Sequence, residues 1–132
     1  VRCKQLEYKK AEAQDDPALP GDVQKQAEVT AVDYEIIKKD LNAVIQLAPD
    51  FVYGYYNRAN VLSLLKDYRA ALLDYDKAIE LNKDFGEAYF NRGLTNIFLG
   101  NNKQGIADLS KAGELGIVSA YNVIKRFTET RE

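Results

Sequence analysis

Residues 52–85 read VYGYYNRANVLSLLKDYRAALLDYDKAIELNKDF, and residues 86–119 read GEAYFNRGLTNIFLGNNKQGIADLSKAGELGIVS. Laid one on the other, Tyr55, Asn57, Arg58, Leu65, Asp74, Lys77, Ala78, Glu80 and Leu81 recur as Tyr89, Asn91, Arg92, Leu99, Asp108, Lys111, Ala112, Glu114 and Leu115. Tyr56/Phe90, Ala59/Gly93, Ala71/Gly105, Leu72/Ile106 and Tyr75/Leu109 are conservative pairs. A fixed period of this length is the mark of a supersecondary unit that buries its apolar face by stacking on copies of itself. Inside each unit the apolar spacing is helical: Tyr55, Ala59 and Leu62 follow i, i+4, i+7, as do Ala71, Tyr75 and Ala78. Lys66-Asp67 separates the two runs in one unit and Gly100-Asn101-Asn102 in the other. Gly100 suits the left-handed conformation that closes a helix, and Asp67 and Asn101 are expected to cap the next one. The second helices are expected to end near Asn82 and Gly116. Each unit is therefore helix, tight turn, helix.

These residue types at these positions resemble the tetratricopeptide repeat. The opening aromatic is Tyr55 and Tyr89, and the small residue where the two helices of a unit touch is Ala59 and Gly93. The small residue of the second helix is Ala71 and Gly105, followed by Tyr75 and Leu109 and then by Ala78 and Ala112. Arg58 and Arg92 depart from the family's usual Leu, Asn96 from its Tyr, and Lys83 and Ile117 from its Pro. The small residues also have a direct physical reason. Two helices joined by so short a turn must lie side by side, and Ala or Gly lets their backbones approach. The resemblance implies an all-α fold, an α-solenoid of stacked antiparallel helix pairs with a C-terminal capping helix.

The register extends backwards through residues 34–51. Tyr34, Asp40, Ile45, Leu47, Asp50 and Phe51 match Tyr68, Asp74, Ile79, Leu81, Asp84 and Phe85, and Pro49 stands where the family carries its Pro. Residues 22–51 are expected to form one long helix, capped by Asp22 and ending in half a repeat, because no Gly or Pro interrupts Val23 to Leu47. A helix pair bent near Asp33-Tyr34 is the alternative. Residues 1–21 are an N-terminal segment with a short helix expected over 1–14, then the break Asp15-Asp16-Pro17-Ala18-Leu19-Pro20-Gly21. Residues 52–85 and 86–117 are the two complete units. Residues 118–132 read as a capping helix, with Val123, Ile124 and Phe127 on one face and Lys125, Arg126, Glu129 and Arg131 on the other.

The 132 residues are 46% apolar and 29% charged, the balance of a water-exposed globular domain. The longest apolar run, Val61 to Leu65, is interrupted by Ser63, so no membrane insertion is expected from this segment. A net charge of -2 with both signs interspersed offers no basic stripe for nucleic acid. Histidine is absent and cysteine occurs once, at Cys3, so no metal site, cofactor or nucleophile–base pair is expected, and no enzyme. The chain opens on Val1 without a leader and reads as a piece of a longer protein or a processed product.

Function is then expected to lie on a surface. Stacked helix pairs curve into a concave face lined by the first helix of each unit. One unit contributes Tyr53, Tyr56, Asn57, Asn60 and Leu64 to it, and the next contributes Glu87, Phe90, Asn91, Leu94 and Phe98. Aromatic rings supply rigid area and Asn supplies a donor and an acceptor, which suits an extended peptide or a helix from a protein partner. The competing account is that Tyr56, Phe90 and Phe98 only pack between helices. In the resembled family, domains that grip acidic chaperone tails use Lys and Arg on successive first helices, and here Glu87 stands where a Lys is wanted. Arg58 and Arg92 lie one position further round and are expected to pair with Asp74 and Asp108. The alternative to a binding module is a spacer or self-association element, forming a homodimer, in a larger membrane-associated or secreted bacterial protein.

Overall fold

The computed structural model describes residues 20–131. These form α1 (Pro20–Leu47), α2 (Val52–Leu64), α3 (Tyr68–Leu81), α4 (Gly86–Phe98), α5 (Asn102–Glu114) and α6 (Ser119–Arg131). The chain divides into two units, Val1–Asp33 and Tyr34–Glu132. In the first, residues 20–33 are helical. The helix expected over 1–14 lies outside the described residues. Helical structure extends from Pro20 to Leu47. It starts at Pro20 rather than after an Asp22 cap, which a proline's preset φ and missing N–H allow in a first turn.

In the second unit, α2 with α3 and α4 with α5 are the paired helices, and the repeat's small residues explain how they pair. Ala59 and Ala71 are completely buried, in one cluster with Leu62 and Tyr75. The corresponding Gly93 and Gly105 approach more tightly still. A Cβ on Gly93 would lie 2.9 Å from the Gly105 carbonyl oxygen, and one on Gly105 would lie 2.8 Å from that of Gly93. The side chains packed over these crossings are Tyr75 and Leu109, the two largest that are fully buried among the described residues, and they are register counterparts. Between the two repeats, Tyr55, Ala78, Ile79, Phe85 and Ala88 form a second cluster, which Ile45 of α1 joins. At the far end, Ala120, Val123 and Ile124 of α6 cover Leu109 and Ala112. Val123 and Ile124 are two of the three residues expected on that apolar face.

Three helices close in the same way. α2, α4 and α5 are each followed by a residue of positive φ, Lys66 (66°), Gly100 (85°) and Gly116 (103°). The next amide reaches back five residues in each case: Asp67 N–H to Leu62 O (2.8 Å), Asn101 N–H to Asn96 O (2.8 Å) and Ile117 N–H to Ala112 O (2.9 Å). This bond satisfies a carbonyl that would otherwise be orphaned. The Asp67 side chain accepts from the Ala70 N–H at 3.5 Å. Asn101 makes no such cap. Its side-chain amide donates instead to Asn96 Oδ1 at 3.4 Å, so the helix-capping role expected of Asn101 is corrected.

The two arginines that replace an apolar residue of the repeat do pair as the sequence suggests. Arg58 donates through Nε and Nη2 to the two oxygens of Asp74, at 2.6 and 2.7 Å. Arg92 does the same to Asp108, at 2.9 and 2.8 Å. Each remaining Nη1 turns to the helix before: Arg58 to Asn42 Oδ1 (3.0 Å) and Arg92 to Asp76 Oδ1 (2.9 Å). Asn42 and Asp76 are again register counterparts, so each arginine ties three consecutive helices. Each also lies over an aromatic of its own helix, Tyr55 at 6.0 Å and Tyr89 at 5.5 Å. Its hydrogen bonds to Asp74 raise the Arg58 pKa above its ordinary value. For Arg92, burial opposes the charge, and Asp108 and Asp76 more than offset it.

Lys66 carries a side chain where its counterpart is glycine. A left-handed non-glycine residue costs about 1–2 kcal/mol, and glycine's extra chain entropy returns part of that. Lys66→Gly is therefore expected to raise the unfolding free energy by about 0.5–1 kcal/mol in urea denaturation, and a decrease would refute this account of the turn. Asp108 is only 3% exposed. Arg92→Ala removes the cation facing that carboxylate and is expected to cost about 3 kcal/mol, whereas the double change Arg92→Leu/Asp108→Leu should cost clearly less. Equal losses in the single and double variants would show that the pair's charge is not what matters.

Candidate functional site

The first helices α2 and α4 run past one another with α3 beneath, and a pocket of about 350 Å³ opens between them. Asn60, Ser63 and Leu64 line it from α2, Leu94, Asn91, Thr95 and Phe98 from α4, and Tyr68 and Tyr75 from α3. The helical period explains the set. Residues 60 and 64, and 91, 94 and 98, are spaced by three and four, so each group shares one face of its helix.

The floor is a chain of hydrogen bonds. The Tyr75 hydroxyl donates to Asn60 Oδ1. The same oxygen accepts from Asn91 Nδ2 at 3.0 Å, and Asn91 Nδ2 also reaches the Tyr56 hydroxyl at 3.1 Å. Tyr75 is 1% exposed, and burial pushes its pKa from 10.0 up to about 12, so its hydroxyl stays a donor at ordinary pH. That donor orients the Asn60 amide with its oxygen inward and its NH₂ turned away from the floor. Asn91, spending its NH₂ on the network, keeps its oxygen available. Within this network the Asn60 NH₂ and the Asn91 side-chain oxygen are not engaged.

The walls are exposed where they meet solvent. Leu64 is 57% and Phe98 is 70% exposed, and these two are register counterparts. Phe98 stacks on Tyr68, with ring centroids 5.5 Å apart and planes 17° from parallel.

Of the ten residues singled out from the sequence, Asn60, Leu64, Asn91, Leu94 and Phe98 meet in this pocket. The other five do not line it. Tyr56 is half-buried, with its ring 4.6 Å from that of Phe85 and 6.2 Å from that of Tyr75. Phe90 packs on the cluster of Leu109, Ala112 and Ala120. Phe90 thus packs between helices, as does the ring of Tyr56, whose hydroxyl meanwhile accepts from Asn91 in the floor. Tyr53 is exposed and sits edge-on to Phe85 at 5.5 Å. Asn57 and Glu87 are exposed. Ser63, Tyr68, Tyr75 and Thr95 belong to the lining and were not singled out. Tyr68 and Tyr75 come from the second helix, and their aromatic character at i and i+7 was the available signal.

Among the described residues, no group of three His, Cys, Asp or Glu is placed to hold a metal ion. No helix among them is long and apolar enough to cross a membrane.

Comparison with known proteins agrees with the period. The tetratricopeptide repeat family model matches residues 52–85, and a second model of the same description matches 86–115. No curated protein matches the chain. Among solved structures, the TPR2B-domain:pHsp70 complex of yeast Sti1 is 25% identical over 76% of this chain and 90% of that one, with a TM-score of 0.65. The first TPR of Spaghetti (RPAP3) bound to the HSP90 peptide SRMEEVD is 20% identical over 80% of this chain and 87% of that one, with a TM-score of 0.71. The Yersinia enterocolitica type III secretion chaperone SycD, in complex with a peptide of the translocator YopD, is 14% identical over 84% and 96%, with a TM-score of 0.70.

The raised Tyr75 pKa links the pocket floor to stability. A tyrosine whose folded pKa lies above its unfolded value favours the fold fully below the unfolded pKa, and loses that contribution as pH rises through the folded one. The window here is pH 10 to about 12. Wild type is expected to lose stability more steeply across it than Tyr75→Phe in urea titrations at stepped pH. Parallel curves for the two proteins would contradict the burial of this hydroxyl.

Proposed function

The chain belongs to the tetratricopeptide repeat family through residues 52–115 and is a protein-interaction module, and from that premise we propose that it binds a peptide segment of a protein partner along the face formed by α2 and α4. It acts on this reading by recognition and not by catalysis. The observation that carries it is the Asn60–Asn91 pair, one donor and one acceptor held in place by Tyr75 and Tyr56, at the floor of an open apolar pocket. A peptide backbone presents the complementary acceptor and donor, and buried polar groups of a partner must find such matches to bind well. The peptide complexes of similarly folded proteins lend support to the class of ligand.

The acidic chaperone tail is not the ligand we propose. Glu87 is exposed at the start of α4, in its first turn, and the pocket lining contains no Lys or Arg. A tail of carboxylates would lose its hydration without gaining a cation.

Affinity capture of partners from the source cells tests this reading. Wild type should retain a partner that Asn60→Ala/Asn91→Ala loses by tenfold or more, while Leu73→Ser, altered at an exposed position on α3, retains it. Unchanged recovery with the asparagine variant would overturn the proposal.

A further inference from the structure

The pocket also carries information about what side chain enters it. Its lining has no Asp, Glu, Lys or Arg. Its deepest hydroxyl, on Tyr75, remains protonated far above neutral pH. An ionised group placed there would give up water for no opposite charge, a cost of several kcal/mol in an apolar surrounding. The walls point the other way. Leu64 and Phe98 hold most of their apolar surface in water at equivalent positions of successive units, and both face the same pocket as Leu94 and Tyr68. Large apolar groups exposed together around a concavity are what a bound apolar group would cover. The volume of about 350 Å³ stands near the small end of ligand pockets, roughly 300–1,000 Å³, which is room for one large side chain with its adjoining backbone.

We propose that the partner is a peptide segment anchored by one uncharged aromatic or branched aliphatic side chain, seated between Leu64, Leu94 and Phe98, with the amide beside it hydrogen-bonded to Asn60 and Asn91. This rests on the reading of the α2–α4 face as the binding surface. It adds the ligand's chemistry: neutral, internal to a chain, and independent of a terminal carboxylate. Tyr68, stacked on Phe98, holds that ring at the pocket mouth and so positions one wall. Specificity comes from the neutral floor, which rejects Asp, Glu, Lys and Arg at the anchor position by leaving their charge uncompensated.

A random 12-residue peptide library displayed on phage, selected on the whole chain, tests the proposal without knowledge of the natural partner. Selected peptides are then synthesised both as C-terminal amides and as free acids. The expected result is a shared Leu, Ile, Phe or Trp whose replacement by Ser weakens binding tenfold or more. Leu64→Ser and Phe98→Ser should cause a comparable loss, with amide and acid forms binding within twofold of each other. Both substituted residues are exposed, so the variants keep the fold, as circular dichroism will verify. Peptides that need a free carboxylate overturn the apolar anchor. So do peptides indifferent to Leu64→Ser and Phe98→Ser but sensitive to Asn60→Ala/Asn91→Ala, and that result leaves the α2–α4 face standing. Peptides indifferent to all four substitutions, or a library that yields no binder, overturn both.

Discussion

The close approach of two helices within each unit is the constraint on which the rest of this structure depends. Ala59 against Ala71, and Gly93 against Gly105, bring the backbones together. Only then can Tyr75 and Leu109 be sealed completely beside them. Protein interiors are packed as densely as organic crystals, so a gap or a surplus methyl at such a crossing is felt through the neighbouring side chains. The two units reach the same arrangement differently. The first uses alanines, while the second dispenses with both Cβ atoms and sets its carbonyls nearly against the opposing helix. Leu109 fills its site without a polar atom, whereas Tyr75 brings a hydroxyl to the same place and has somewhere to send it.

That hydroxyl is the point at which packing becomes a site. Tyr75 is buried because it packs over the Ala59–Ala71 crossing, and its burial keeps the hydroxyl a donor. The donor fixes Asn60, Asn60 holds Asn91, and the pair stands between two first helices. The next unit has leucine at the position of Tyr75, and Leu94 at the position of Asn60. The polar floor is therefore built once, at the junction of the two complete units. This asymmetry also separates Asn57 from Asn91, which the repeat pattern treats as equals. Asn91 has Tyr56 and Asn60 on the preceding first helix as partners. Asn57 is exposed.

The arginine clamps serve a second purpose that apolar residues at the same positions would not. A buried pair adds little net stability over a hydrophobic one, but it is demanding about geometry. Arg58 reaches α1 and α3 from α2, and Arg92 reaches α3 and α5 from α4. Each thereby sets the stagger of one unit on the next. In the second unit Asp108 takes further bonds from Asn96 (3.2 Å) and Gln104 (3.3 Å). This accounts for a polar residue at position 96, where the first unit has the buried Leu62.

The all-α class, the repeat, the helix pairs and the Arg58–Asp74 and Arg92–Asp108 pairings were legible in the amino-acid sequence alone. Each follows from local spacing repeated at a fixed interval, and a period is a property of the chain before it folds. Half of the candidate site was legible for the same reason, since Asn60, Leu64, Asn91, Leu94 and Phe98 share helix faces that the period identifies. The rest needed the tertiary structure. Tyr56 and Phe90 occupy equivalent face positions but turn to packing, because Phe85 and Tyr75 lie against one and Leu109 lies under the other. Tyr68 and Tyr75 entered the pocket from a helix whose apolar residues read only as core. Which of two like residues lines a cavity and which fills a crossing is decided by what the neighbouring helix brings within a few ångströms. No spacing along one chain contains that distance.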